Sequence, residues 1–385
     1  MEIEIGMGKR GRRAYGFDDI AIVPSRRTRD PEDVDMTWQL GDHTFSYPLL
    51  ASAMDGVVNP TTAGLIGKIG GLGVLNLEGI QSRYVDADQQ LEKIAGFAPA
   101  DATRGLQEVY RTPVDIDLMV QRIKEIKQQG VVVAGSLTPQ KVRDYIDVAL
   151  EAGLDILIIQ GTVVSAEHVS TRDEPLNLKK FIAELPIPVI VGGCASYSTA
   201  LHLMRTGALG VLVGVGPGAA CTTRQVVGVG VPQATAIADA AGARMQHLLE
   251  TGKYVNVIAD GGMSYGGDLA KAIACGADAC MIGSPLAKAS EAPGKGYHWG
   301  MATFHPELPR GTRVKTTTIG SLAEILTGPA AENDGSLNLM GGLRNAMALC
   351  GYDSVQSFQK VEVMVAPSIK TEGKKLQTSQ HVGMG

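Results

Sequence analysis

One cysteine stands apart in this sequence. Cys221 falls within residues 211–233, VLVGVGPGAACTTRQVVGVGVPQ, where a short apolar run gives way to glycines, two threonines and an arginine. Glycine lets backbone pass close to a ligand, and amides exposed on such a turn can bind anions and favour a thiolate. Thr222 and Thr223 add hydroxyls, and Arg224 offers a cation. No histidine lies near in sequence; of the seven, His298 and His305 are the two to watch. A thiolate without a histidine partner suits covalent addition to an electrophilic ring carbon better than peptide hydrolysis. Cys275, Cys280 and Cys350 fall in predicted helix or strand and read as small buried hydrophobes.

Two further turns carry candidate binding groups. Asp260-Gly261-Gly262 and Gly283-Ser284 each offer bare amides and small side chains, and Asp260 adds a carboxylate suited to a ribose diol. A sugar phosphate or a nucleotide monophosphate is the ligand this set would take.

The elements that must position these turns alternate regularly. Short, continuously apolar strands are predicted at 48–55, 70–75, 131–134, 156–159, 188–191, 211–213, 255–259 and 279–282. Helices of about ten residues separate most of them, and a last helix at 337–349 follows the eighth. Strands without polar alternation are buried on both faces, so the chain reads as a parallel α/β fold. Eight units favour one closed (β/α)8 TIM barrel spanning residues 1–385. In that fold the loops after the strands hold the active site, with phosphate often bound after strands seven and eight. Residues 1–47 read as an irregular arm, 96–113 as a short exposed loop, 284–333 as a long lid excursion, and 373–385 as a mobile tail.

Composition narrows the classes. With 385 residues, 44% apolar, the chain can bury a large core, and its 48 glycines are dispersed among apolar runs as tight turns. A net charge of −5 gives no support for bulk nucleic-acid binding, and no apolar stretch reaches membrane-span length. Cysteine spacing shows neither disulfide framework nor zinc site, so a reduced, cytoplasmic enzyme is expected.

The cysteine loop, together with ADGGMSYGGDLAKAIACGADACMIGSPLA (259–287), PLLASAMDGV (48–57) and GGLRNAMALCG (341–351), resembles the IMP dehydrogenase and GMP reductase family across nearly the whole barrel. It looks like the short-form bacterial subfamily that lacks the tandem CBS module after strand two, with 96–113 in its place. The resemblance implies that Cys221 attacks C2 of IMP, that hydride leaves to NAD, and that water hydrolyses the thioimidate to XMP. Thr223 matches the threonine that manages protons. Ser52, Met54, Asp260, Gly261, Gly262, Met281, Gly283, Ser284, Gly300 and Met301 match nucleotide-binding positions. Gln160, Cys194, Gly214 and Gly216 fall on the cofactor side, and carbonyls of Gly216, Gly218 and Cys221 match a potassium site. A homotetramer is implied as well.

Departures accompany the matches. Ala219 stands for a phosphate-binding serine, Leu212 for a basic residue, Gln160 for an aspartate, and Cys194 for an asparagine beside the nicotinamide. Arg310 occupies the place of the acid that works with threonine in the reductases, so it becomes the candidate water-activating group, with Arg313 as runner-up. Loss of that acid favours IMP dehydrogenase over GMP reductase. A catalytically silent nucleotide-binding regulator is the remaining alternative.

Overall fold

The computed structural model describes residues 2–169, 171, 175–300, 313–380 and 382. Eight parallel strands close into a barrel in chain order: β1 (Leu49–Ala51), β2 (Leu72–Asn76), β3 (Ala134–Leu137), β4 (Ile156–Gln160), β5 (Val189–Cys194), β6 (Gly210–Val213), β7 (Asn256–Asp260) and β8 (Ala279–Ile282). Closure is made by β8 pairing with β1, Met281 opposite Leu50. The expected TIM barrel is therefore the observed fold.

Strand residues alternate between two packed layers, as the twofold strand period requires. Leu50, Val74, Ile158, Ile190, Leu212 and Ile258 fill the barrel interior. Their neighbours Leu49, Leu75, Leu157, Val191, Val211 and Val257 pack outward against the helices. A hairpin of Trp38–Leu40 and His43–Phe45 plugs the bottom, where the Trp38 indole donates to Asn256 Oδ1 at 2.9 Å. Helix boundaries follow local chemistry. Pro60 opens the helix Pro60–Ile69, the Asn59 side chain accepts from the Thr62 amide, and Gly70 ends it at φ +112°.

Two expectations need correction. Residues 96–113 are no exposed loop: they carry the helix Ala102–Val109, whose Leu106 and Val109 are buried beside the helix Ala87–Gly96. Strand three begins at Ala134 rather than 131, because the Val133 amide turns to the Asp155 carboxylate at 2.9 Å. The excursion 284–333, in its described parts, is packed onto the barrel through buried Leu286, Trp299, Leu322, Ile325 and Leu326. A ribbon pairs Tyr297–His298 with Val314–Lys315 there. The tail forms a short exposed helix, Lys375–Gln380. Among the described residues, no helix is long and apolar enough to cross a membrane.

Candidate active site

Two residues above the apolar interior, the inward-facing row turns polar. Leu50 is followed by Ser52, Val74 by Asn76, Ala134 by Ser136, Ile158 by Gln160 and Ile258 by Asp260. Ser52, Gln160 and Asp260 of this polar layer line a cavity of about 310 Å³ at the C-terminal mouth of the barrel. Three members of the layer are chained: the Ser136 hydroxyl donates to Gln160 Oε1 at 3.5 Å, and Gln160 Nε2 donates to Asp260 Oδ2 at 3.1 Å. Burial outweighs that single donor and pushes the Asp260 carboxyl up to about 7.

Cys221 enters the cavity from the loop after β6. Its amide donates to the Gly218 carbonyl at 3.0 Å, and its thiol donates to Thr223 Oγ1 at 3.2 Å. Thr223 itself is buried behind the sulfur. Arg224 does not serve the thiol directly. Its Nε donates to the Val215 carbonyl and its Nη2 to that of Val231, stapling the two arms of the loop. A Cβ at Gly216 or Gly230 would sit 2.5 or 2.7 Å from Arg224 Cγ, which explains a glycine on each arm. Gln233 adds a second staple, donating to the carbonyls of Val213 and Asp260 at 2.7 and 3.1 Å.

The opposite wall is backbone-rich. Gly261 and Gly262 take left-handed φ of +77° and +79°, and a Cβ on Gly262 would approach Pro217 Cβ to 3.0 Å, so the loops after β6 and β7 touch. At Gly283 a Cβ would meet Met54 Sδ at 2.7 Å. Ser284 Oγ shares a 2.8 Å hydrogen bond with His298 Nε2. Burial, with the nearby Lys288 charge, holds this imidazole down to about 4, so it is neutral at physiological pH.

Most predicted positions meet here. Ser52, Met54, Gln160, Gly214, Gly216 and Gly218 line the cavity, as do Cys221, Asp260, Gly261, Gly262, Gly283, Ser284 and Gly300. Two do not. Met281 is fully buried inside the barrel below the cavity. Cys194 packs in the layer between strands and helices, its thiol on the Leu212 carbonyl and pushed to about 12 by burial. Its expected place beside a cofactor is thus corrected: a register shift between Gly192 and Cys194 sets Cys194 opposite outward-facing Val213, where unbroken alternation from Ile190 would have turned it inward. Arg313 is corrected too: its guanidinium is spent on the carbonyls of Ile94, Ala95 and Phe97 and lies 4.0 Å from the Tyr297 ring centre. Met301, His305 and Arg310 lie outside the described residues.

Sequence reasoning missed Gly161, Thr162, Met263 and Ser264 on the cavity wall. It also missed the buried carboxyl of Asp55 behind Met54, bonded by the Tyr110 hydroxyl and the Ile80 amide. The spacing of Ala102, Leu106 and Val109, one helical face, was the available signal for the element carrying Tyr110.

Comparison with known proteins agrees with this geometry. The model of the IMP dehydrogenase / GMP reductase domain matches residues 14–305. A Mycolicibacterium smegmatis protein described only as an uncharacterized oxidoreductase is 48% identical over 373 residues, covering 94% of this chain and 99% of that one. The inosine-5'-monophosphate dehydrogenase of Methanocaldococcus jannaschii is 28% identical over 94% of each chain. A crystal structure of an IMP dehydrogenase/GMP reductase-like protein from Corynebacterium glutamicum superimposes with a TM-score of 0.90 at 46% identity, covering 95% of this chain and 98% of that one. With the barrel, the cysteine loop and these likenesses in agreement, the chain belongs to the IMP dehydrogenase / GMP reductase family of oxidoreductases, in a short form in which a helix pair follows strand two.

Proposed function

We propose that this protein oxidises IMP to XMP, with Cys221 as nucleophile and NAD as oxidant. The observation that carries the reading is a single cavity bordered by the Cys221 sulfur, the Asp260 carboxyl and the Ser284 hydroxyl. A purine mononucleotide has a complement for each. The ribose diol donates to Asp260, the phosphate accepts from Ser284 and nearby glycine amides, and an electrophilic ring carbon meets the thiolate.

In this reaction the sulfur bonds to C2 of the base while the C2–H bond breaks, its electron pair leaving as hydride. Water then adds at C2, the C–S bond breaks, and the sulfur recovers a proton. The sum is IMP, NAD and water giving XMP, NADH and a proton. Thr223, 3.2 Å from the sulfur, gives the thiol proton a first acceptor. Loop staples by Arg224 and Gln233 fix the sulfur's position before substrate arrives.

NAD, when bound, supplies the hydride acceptor. The residues fit it: past Gly161 and Thr162 the cavity adjoins another of about 460 Å³ bordered by Arg83 and Thr138, enough for an elongated second ligand. The carbonyls of Gly216, Gly218 and Cys221 would hold potassium, a hard cation suited to oxygen donors. Gly218's carbonyl is already oriented by the Cys221 amide.

GMP reduction is the competing reading. It needs an acid beside the departing ammonia, whereas the carboxyl among the described cavity-lining residues is Asp260, on the ribose side. Purified protein given IMP, NAD and potassium should produce NADH. Ammonia from GMP and NADPH, with no NADH in the first assay, would reverse the direction. Silence in both, with IMP still protecting Cys221 from alkylation, would leave a nucleotide-binding role.

A further inference from the structure

The helix pair after strand two carries more than packing. The residue that caps its second helix, Tyr110, sends its hydroxyl to Asp55 Oδ2 and receives the Trp299 indole N–H at 2.8 Å. Asp55 follows cavity-lining Met54 directly, and Trp299 directly precedes cavity-lining Gly300. One phenol therefore joins the loop after β1 to the segment that returns over the barrel mouth. The two segments are already close: a Cβ on Gly56 would lie 2.7 Å from the Tyr297 carbonyl. Trp299 is 1% exposed and packs with Ile80, Leu91, Ile94, Leu106 and Val109, so the joint has an apolar socket. On its other side, the Ile80 amide donates to Asp55 Oδ1 at 3.1 Å, Asn76 Nδ2 reaches Oδ2 at 3.4 Å, and Arg83 Nη1 donates to the Tyr110 carbonyl at 3.1 Å.

We propose that Tyr110 is a positioning residue for the catalytic cavity: its hydroxyl, bridging Asp55 and Trp299, sets the spacing between the wall that carries Ser52 and Met54 and the wall that carries Gly300. The proposal rests on reading this cavity as the purine nucleotide site. Tyr110 borders the adjoining cavity of about 460 Å³ and not the one that holds Cys221. On the Cys221 cavity it acts at one remove, through a carboxyl and an indole. The packing gives it a second consequence. The groups facing the Asp55 carboxyl are Tyr110, Asn76, the Ile80 amide and the more distant Arg83, and burial outweighs all of them, pushing the carboxyl up to about 6. Protonation of Asp55 near that pH turns the acceptor of the Tyr110 hydroxyl into a group that can itself donate. The joint is then rearranged within a range where the rest of the barrel is folded.

The Tyr110→Phe variant keeps the ring and removes the bridge. Two readouts apply. In the first, IMP protects Cys221 from alkylation by iodoacetamide. The half-protecting concentration should rise about fivefold to tenfold in the variant, since only part of the free energy of the lost hydrogen bond is felt at the ligand. The melting temperature should fall by a few degrees as well, since the Asp55 carboxyl and the Trp299 indole lose a buried partner. In the second, tryptophan emission is followed against pH. The wild type should show a transition centred near pH 6 that is absent in Asp55→Asn. In Tyr110→Phe it should move upward, since the carboxylate has lost a donor. Should Tyr110→Phe fail to fold, Trp299→Phe removes the other bond of the bridge and should weaken IMP protection in the same way. Protection within twofold of wild type in the variant, or an emission titration indistinguishable from wild type, overturns the proposal. If IMP fails to protect even the wild type, the purine reading fails separately, and the emission titration alone decides whether the bridge exists.

Discussion

At the scale of single residues, the account turns on two groups held in opposite ways. The Cys221 sulfur is presented: a glycine turn exposes it, a threonine hydroxyl sits 3.2 Å behind it, and Arg224 fastens the loop. Its replacement, Cys221→Ser, should lower turnover by a factor on the order of 10³ or more while weakening IMP binding far less, since it removes the bond-forming atom and little contact area. Steady-state kinetics beside a binding titration checks this. Asp260 is withheld: burial raises its carboxyl to about 7, with Gln160 as a single side-chain donor. A ribose diol donates to the ionised form, so binding should release a proton, and IMP affinity should fall as pH drops through 7. In Asp260→Asn affinity should be low and flat across pH 6–8. A wild-type affinity unchanged across that range would remove the carboxyl from ligand binding.

At the scale of elements, the sequence made the barrel legible because parallel strands buried on both faces cannot show polar alternation. Runs such as Ile156–Ile159 and Ala279–Ile282 announce themselves, and the glycine turns that follow mark where ligand meets backbone. What stayed hidden was the orientation of individual side chains. The pleat turns Gln160 to the mouth, whereas a register shift between Gly192 and Cys194 turns Cys194 to the helices, and such a one-residue irregularity reverses the assignment that alternation alone would give. The helix pair at 87–109 was half missed because its second helix is only eight residues long and polar on its exposed face. Its apolar face is covered by the preceding helix and by Trp299, far off in sequence. Arg313 shows the same limit. Read alone it is a loop cation; in the fold it satisfies the carbonyls that end the helix Ala87–Gly96. Arg313→Ala should therefore destabilise the protein by about 1–3 kcal/mol, the cost of leaving part-buried acceptors unpaired. A urea midpoint unchanged by the substitution would contradict this assignment.

At the scale of the whole molecule, two strongly raised carboxyls, Asp55 and Asp260, give stability a definite pH dependence, to which burial of Glu78 adds in the same sense. Both stand above the ordinary aspartate value of 3.8, at about 6 for Asp55 and about 7 for Asp260. The folded chain therefore holds protons there that the unfolded chain has released. Their contribution is full below 3.8 and is lost as pH rises through 6 and 7. His298, held down to about 4, works in the opposite sense between 4 and 6.5, so the raw slope mixes the two. The difference between wild type and Asp55→Asn separates them. Urea midpoints measured from pH 4.5 to 7.5 should show the variant gaining on the wild type as pH rises, by chemical denaturation at each pH. A constant difference across that range would mean that the carboxyl is not held protonated by the fold.

The central claim is that one sulfur bonds to the purine ring during turnover, and acid quenching with peptide mass spectrometry tests it most directly. Protein mixed with IMP, NAD and potassium, then quenched within the first turnover, should yield a Cys221 peptide carrying the oxidised purine nucleotide, absent when NAD is left out and absent in Cys221→Ser. Sustained NADH production by Cys221→Ser, or turnover with an unmodified Cys221 peptide at every quench time, would contradict the account.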